Sequence, residues 1–286
     1  MTGLTSPALA GTPVAPTREP AGCGLRAFGI VHANPATIAA LRQKPGPPSI
    51  VPDHFRPHLL KHSDEQTVAS LAAVLDAIHR FGLSGHDFTA WGVVAAPRWL
   101  GRPKAAAAFN KFHREGFSRA SPMAVPHLSL HAVSGTISQT LRIQGPSFGT
   151  GSGAGHLAEG LLAALSLVSE GELPGLWLTL SRWDPEPAPD VQGEVSSECV
   201  CHAVALALVP VAANFTGPRL RLLPPAPVPG EQHEPASVQS LADFLAGSAP
   251  AGSWVCPLGW GGWVELTGTP SQRNAAGNEA LAEALP

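Results

Sequence analysis

Charge is what this sequence has least of. Asp, Glu, Lys and Arg make up 14% of its 286 residues, and the formal net charge is -3. Without a basic excess, binding to nucleic acid has no electrostatic footing. No stretch reaches ~18 uninterrupted apolar residues, so no membrane span is expected. The N-terminus lacks the basic stretch and continuous apolar run of a signal peptide. The four cysteines, Cys23, Cys199, Cys201 and Cys256, form no CxxC pair and no dense framework. That pattern predicts reduced thiols in a cytoplasmic protein. Tyrosine is absent against seven tryptophans, a compositional bias with no evident physical reason.

What is present suffices for a core. At 44% hydrophobic the chain can bury a sizeable interior and is not globally disordered. Glycine and proline number 30 each, and the prolines crowd the N-terminus and the span 185–235, which predicts loops and a tail around a compact centre. Residues 1–24 read as a flexible lead-in, 25–266 as one domain, and 267–286 as a weakly ordered tail.

Taken in order, Leu25 to His32 is apolar and β-branched enough for a first strand, and Pro35 opens a helix. A proline-broken loop runs from Lys44 to His58. Ser63-Asp64-Glu65-Gln66 then opens the best helix in the chain, with Ser63 as cap and Gln66 at the reciprocal capping-box position. Its predicted buried stripe is Val68, Leu71, Leu75 and Ile78, and Phe81-Gly82 ends it. Phe88 to Ala96 reads as a strand buried on both faces, and Pro103 to Phe117 as a helix with Phe109, Phe112 and Phe117 near one side.

Further on, Leu176 to Leu180 is a central strand, and Ser181 to Glu198 a proline-rich acidic loop. Cys199 to Val211 is a long strand that Arg219 to Leu223 is expected to join. A second proline-rich loop spans Pro224 to Pro235. Ser237 to Leu245 is a short helix, and Ser253 to Leu266 a strand or hairpin. Strands alternating with helices predict an α/β layered sandwich with a mixed sheet and helices on both faces.

The stretch from Val125 to Leu165 organises the rest. Apolar spacing predicts a helix over His131 to Leu141, stopped by Gly145-Pro146, then a short buried strand from Ser147 to Thr150. Gly151 to Gly155 form a glycine-packed elbow, and Leu157, Leu161, Leu162 and Leu165 mark the next helix. α/β folds place nucleophiles or bind anions where a strand turns sharply into a helix, because free N–H groups converge there.

Several residues near this elbow carry alternative readings. Gly149 to Gly155 has spacing permissive for a dinucleotide fingerprint, with Glu170 about where a ribose-binding acid would stand; close packing of helix on strand explains it more simply. Ser152 is a candidate displaced nucleophile with His156 as base, yet Gly151 and Gly153 enclose it too tightly for a Gly-x-Ser-x-Gly frame. His127 with His131, and His54, His58 and His62, have i, i+4 spacing, but no acid or cysteine accompanies them, so no metal is expected. Cys199, Cys201 and His202 lie on one strand, the cysteines facing one side and the histidine the other. Trp254, Trp260 and Trp263 suit either interface anchors or the floor of the core.

The segments SGTISQTLRIQGPSF and HLAEGLLAALSLVSEGELPGLWLTL resemble the N-terminal half of β-ketoacyl synthases. The HLSLHAVSG signature and the WDPEP after the strand resemble the small ketoacyl-synthase-like proteins of aryl polyene and related fatty-acid-type pathways. The likeness runs from Leu25 to Leu266 and is strongest from Pro126 to Pro187.

It implies a thiolase-like layered sandwich, truncated relative to a full ketosynthase. Counting from Gly145-Pro146, the synthase cysteine falls on Ala154, and the synthase histidine motifs are absent after residue 180. Condensation needs a thiolate and polar donors at the oxyanion. The resemblance therefore implies a catalytically silent subunit without cofactor that pairs with an active synthase or with itself, and that also meets acyl carrier protein. Its interface would comprise Gln144, Gly145, Pro146, Ser147, Phe148, Gly149, Thr150, Gly151 and the helix from His156.

Overall fold

The computed structural model describes residues 21–116, 124–151, 153–188, 196–212, 215–225, 236–248 and 252–268. In chain order these hold β1 (Gly22–Ala33), α1 (Pro35–Gln43), α2 (His58–Lys61), α3 (Glu65–Arg80), β2 (Gly92–Pro97) and α4 (Arg102–Glu115). Next come α5 (Ala124–Leu128), α6 (His131–Leu141), β3 (Ser147–Gly149), α7 (His156–Ser169), β4 (Leu176–Asp184) and β5 (Val200–Pro210). β6 (Arg219–Leu223), α8 (Val238–Leu245), β7 (Ser253–Pro257) and β8 (Trp263–Thr267) complete the order.

All eight strands share one sheet in the order β3-β2-β4-β5-β1-β6-β8-β7. β2 runs parallel to β3 and β4, while β5 lies antiparallel between β4 and β1. This is the α/β sandwich with a mixed sheet that the alternation predicts.

The register shows why both faces are covered. Gly29 pairs with Ala205, Ala205 with Thr179 and Thr179 with Ala95, so these four share a face. α3 lies on that face, since a Cβ on Gly29 would stand 1.9 Å from the Ala73 carbonyl oxygen. Residues one step along, Leu180 and Ala96, point the other way, and Gly160 of α7 rests on both. Neighbouring strand residues alternate sides, so α3 and α7 sandwich the sheet.

α3 departs from the expected one-sided stripe. Every residue from Gln66 to Ile78 except Asp76 is buried, because α1 and α6 cover the side turned from the sheet. Its cap is Asp64, not Ser63: Asp64 Oδ1 accepts from the Gln66 N–H at 2.8 Å and Oδ2 from the Gly101 N–H at 3.1 Å. Ser63 Oγ turns back to donate to the Leu59 carbonyl. Gln66 does not close a capping box, because its side chain donates to the Arg98 carbonyl and accepts from Ser181 Oγ. Burial and the neighbouring Glu65 push the Asp64 carboxyl up to about 7.

Other boundaries differ for local reasons. β6 pairs with β1, not β5, since both edges of β5 are already taken by β4 and β1. β2 starts at Gly92 because Phe88 and Trp91 stack edge-on with each other and tilt onto Trp177. α6 ends at Leu141, because the next residue, Arg142, takes a left-handed φ of 57° and breaks the helix before Gly145-Pro146 is reached. β1 begins at Gly22 and β8 runs to Thr267, so the sheet takes in residues expected in the tails. Residues 1–20 and 269–286 of the expected tails, most of the second proline-rich loop, part of the acidic loop and Phe117 lie outside the described residues. Within the C-terminal hairpin, Trp254 is buried and donates to Ser240 Oγ, whereas Trp260 is exposed.

The Gly29 contact sets a prediction. Gly29→Ala forces its methyl into the α3 backbone, and overpacking of this kind costs about 1–3 kcal/mol. Urea unfolding should show that loss, while Gly85→Ala, which meets nothing within 4 Å, should unfold near the wild-type midpoint.

Candidate functional site: the β3–α7 elbow

β3 reaches the sheet edge through a series of backbone approaches. A Cβ on Gly145 would lie 2.2 Å from the Trp91 carbonyl oxygen, and one on Gly149 2.0 Å from the Leu130 carbonyl oxygen. Only glycine allows β3 to lie between the foot of β2 and the start of α6. The Pro146 carbonyl accepts from the Val93 N–H, the Thr150 N–H donates to the Ala95 carbonyl, and the Gln144 N–H donates to the Thr89 carbonyl. Ser138 Oγ donates to Ser147 Oγ at 2.9 Å, pinning the strand to α6.

Among the described residues β3 is an edge strand, paired with β2 alone. It is therefore not the buried strand expected: Phe148 is 36% exposed, and Ser147 and Gly149 are half-buried. Backbone groups alternate in direction along a strand. With Pro146 and Thr150 serving β2, the peptide groups of Ser147 and Gly149 face the open edge.

The turn follows at once. Gly151 has a φ of 61°, and a Cβ there would stand 2.7 Å from Glu159 Oε2. Ser152, the alternative nucleophile, lies outside the described residues. Ala154, at the position where the synthase resemblance places a cysteine, is exposed at the tip of the turn and carries only a methyl group. An alanine there can hold no acyl chain.

His156, the candidate base, is buried. It is 4% exposed, and among the described residues neither ring nitrogen has a partner at full hydrogen-bond geometry, although the Gly153 and Ala154 backbone lies close. Gly160 packs on Ala96 and Leu180, so His156, one turn earlier, lies over the carboxyl ends of β2 and β4. Arg98 follows β2, Arg182 lies two residues before the end of β4, and Glu186 comes two residues after that strand. Burial pushes the His156 imidazole down to about 4; Arg98 and Arg182 add to this, and the backbone of Gly153 and Ala154 offsets a little. Burial raises the Glu186 carboxyl although Arg102, Arg98 and Arg182 oppose it.

Arg98 stacks on the Trp99 ring at 4.1 Å and Arg102 on the same ring at 5.2 Å. Sequence reasoning missed this group. Its signal was an arginine at the carboxyl end of both parallel strands, Arg98 just after β2 and Arg182 near the end of β4, which marks the edge where open α/β sheets bind ligands.

Three of the alternative readings do not survive the geometry. Glu170 sits at the far end of α7 from the elbow, about 20 Å of helix away, so it cannot serve a ribose bound at the glycines. His127 and His131 belong to different helices, because α5 stops at Leu128 and α6 starts at His131. His54 bonds the Thr140 carbonyl while His58 starts the short α2 and His62 caps it, so the three share no helix face. Among the described residues, no group of three or more His, Cys, Asp and Glu is placed to hold a metal ion. Cys199 and Cys201 are buried, and burial raises both thiols.

No protein-family model matches this chain, and no curated protein matches it in sequence. Its fold is found among solved structures. It is similar to a chain of the complex of the ketosynthase ApeO with its chain length factor ApeC from Xenorhabdus doucetiae, with a TM-score of 0.53 and 14% identity over 85% of this chain and 99% of that one. A weaker likeness is to the ishigamide ketosynthase/chain length factor, with a TM-score of 0.45 and 14% identity over 70% of this chain and 66% of that one. The AntDE:AntF complex of a type II polyketide synthase acyl-carrier protein with its ketosynthase gives 0.46 and 15%, over 67% and 63%. This chain thus spans about two thirds of those two chains. At 14% identity the likeness to the chain of the ApeO–ApeC complex establishes the architecture alone, a ketosynthase-like thiolase fold.

The depressed His156 imidazole gives the second prediction. Its folded pKa lies below the ordinary histidine value near 6.5, so between about 4 and 6.5 the unfolded chain binds the extra proton. This group therefore costs stability as pH falls through that window. His202 acts in the same direction and Asp64 in the opposite one, so the comparison is with His156→Leu. The stability difference between wild type and variant should shift against the wild type from pH 7.5 to 5. Parallel pH profiles would contradict it.

Proposed function

We propose that this chain is a cytoplasmic, catalytically silent ketosynthase-like subunit that pairs with an active β-ketoacyl synthase in fatty-acid or polyketide-type synthesis of the aryl polyene kind. The observation that carries the proposal is the combination at the elbow: an open β3 edge bearing Phe148, followed by a turn with Ala154 at its tip. A sheet edge with unpaired peptide groups is a template for strand pairing with another chain. The interface in this reading is Gln144 to Gly151 together with the start of α7 at His156. Self-pairing uses the same edge, and acyl carrier protein is a third partner, reached through the synthase.

The likeness in fold to a chain of a ketosynthase–chain length factor complex supports the reading. The buried thiols Cys23, Cys201 and Cys256 support silence, because burial raises each well above the range in which a thiolate forms at neutral pH.

Two measurements test it. Incubation with acyl-thioesters followed by intact-mass analysis should leave the chain unmodified; a stable acyl adduct would contradict silence. Co-expression with an active β-ketoacyl synthase should give a stoichiometric complex, and Phe148→Asp should weaken it at least tenfold without changing the thermal midpoint of the isolated chain. A folded monomer that ignores every synthase would sink the pairing.

A further inference from the structure

The geometry points to a two-histidine site for a divalent first-row metal ion, zinc or copper in class, built by His32 and His202 across the β1–β5 seam. The two residues are register partners at the end of β1 and the start of β5. Their Nδ1 atoms stand 2.6 Å apart and their ring centroids 4.8 Å apart at 69°. Both nitrogens thus converge on one point, and among the described residues neither ring has another hydrogen-bond partner. An exposed imidazole, His32, and a half-buried one, His202, that meet nitrogen to nitrogen hold a single hydrogen between them. When the donor ring shifts to its Nε2–H tautomer, both lone pairs face that point with no change of charge.

The surroundings suit a cation held by nitrogen. Arg182 is His202's neighbour on β4, and its guanidinium is ion-paired with Asp184 at 3.0 Å. Asp243 of α8, whose Oδ1 accepts from Gln239, adds a second carboxylate to the field at His202. One arginine against two carboxylates leaves a net negative environment. The neutral imidazole is the form that ligates.

Cys201 is the next residue along β5, so it points to the α3 face and cannot share the ion. Two imidazole donors around a tetrahedral ion stand about 3.3 Å apart, so the rings need part by only roughly 0.7 Å. With only two protein ligands, the remaining positions go to water. Imidazole is a ligand of borderline softness, which selects zinc and copper over magnesium or calcium. The seam lies beyond β2 and β4 from the β3 edge, so this site stands or falls independently of the proposed pairing.

Titration calorimetry of the full chain with zinc chloride and with copper sulfate at neutral pH tests it. One ion per chain is expected, with affinity falling at least tenfold in His32→Ala and in His202→Ala and no further in the double variant. His62→Ala, which disturbs the looser His62–His127 contact at 6.1 Å, should bind as wild type. Metal should raise the thermal midpoint of wild type but of neither seam variant, and copper should show two nitrogen ligands by electron paramagnetic resonance. Binding unaffected by His32→Ala or His202→Ala, or no binding above either variant, would overturn the site.

Discussion

Gly160 lets α7 lie against the ends of β2 and β4, where a Cβ would stand 2.6 Å from that of Ala96. A larger residue would lift the helix off the sheet, and with it the turn that joins β3 to α7. Gly145 and Gly149 do the same for β3 itself, each giving up its side chain to a carbonyl of a neighbouring segment. These approaches hold the strand, turn and helix together far more rigidly than the short pairing of β3 with β2 could. The elbow is a product of backbone packing, not of any polar network around it.

That origin explains how the elbow keeps its shape while carrying no reactive group. A nucleophile at position 154 is a side-chain matter, and nothing in the glycine contacts depends on it. Beneath the turn, a polar group of His156, Arg98, Arg182 and Glu186 stays at the carboxyl edge of the parallel strands, where unpaired buried polar atoms cost stability. At the opposite end of the sheet, β6, β8 and β7 extend the architecture beyond β1. β7 lies at the far edge from β3, so the two edges face different surroundings.

Much of this could be read from the chain. The order of strands and helices, the elbow and its flanks, and the start of α1 at Pro35 are local in origin and follow from periodicity and turn chemistry. What escaped depends on long-range contacts. Asp64 takes the cap of α3 because Gly101 offers a second N–H to it, and Gln66 leaves the capping box because Ser181 and Arg98 lie within reach.

β3 looked buried in sequence, since Ser147 and Phe148 sit between two apolar helices, but sheet order makes it an edge. His32 and His202 are 170 residues apart. Only the β1–β5 register brings them together, so neither could be singled out as half of a pair.

Pairing along β3 is the centre of the account, and it makes a statement about particular amides. Hydrogen–deuterium exchange over Gln144 to Thr150, read with and without an active β-ketoacyl synthase, tests it most directly. The account predicts that the Ser147 and Gly149 amides, open to solvent in the isolated chain, become strongly protected in the complex while β7 does not change. A complex that forms with those two amides still exchanging freely would contradict it.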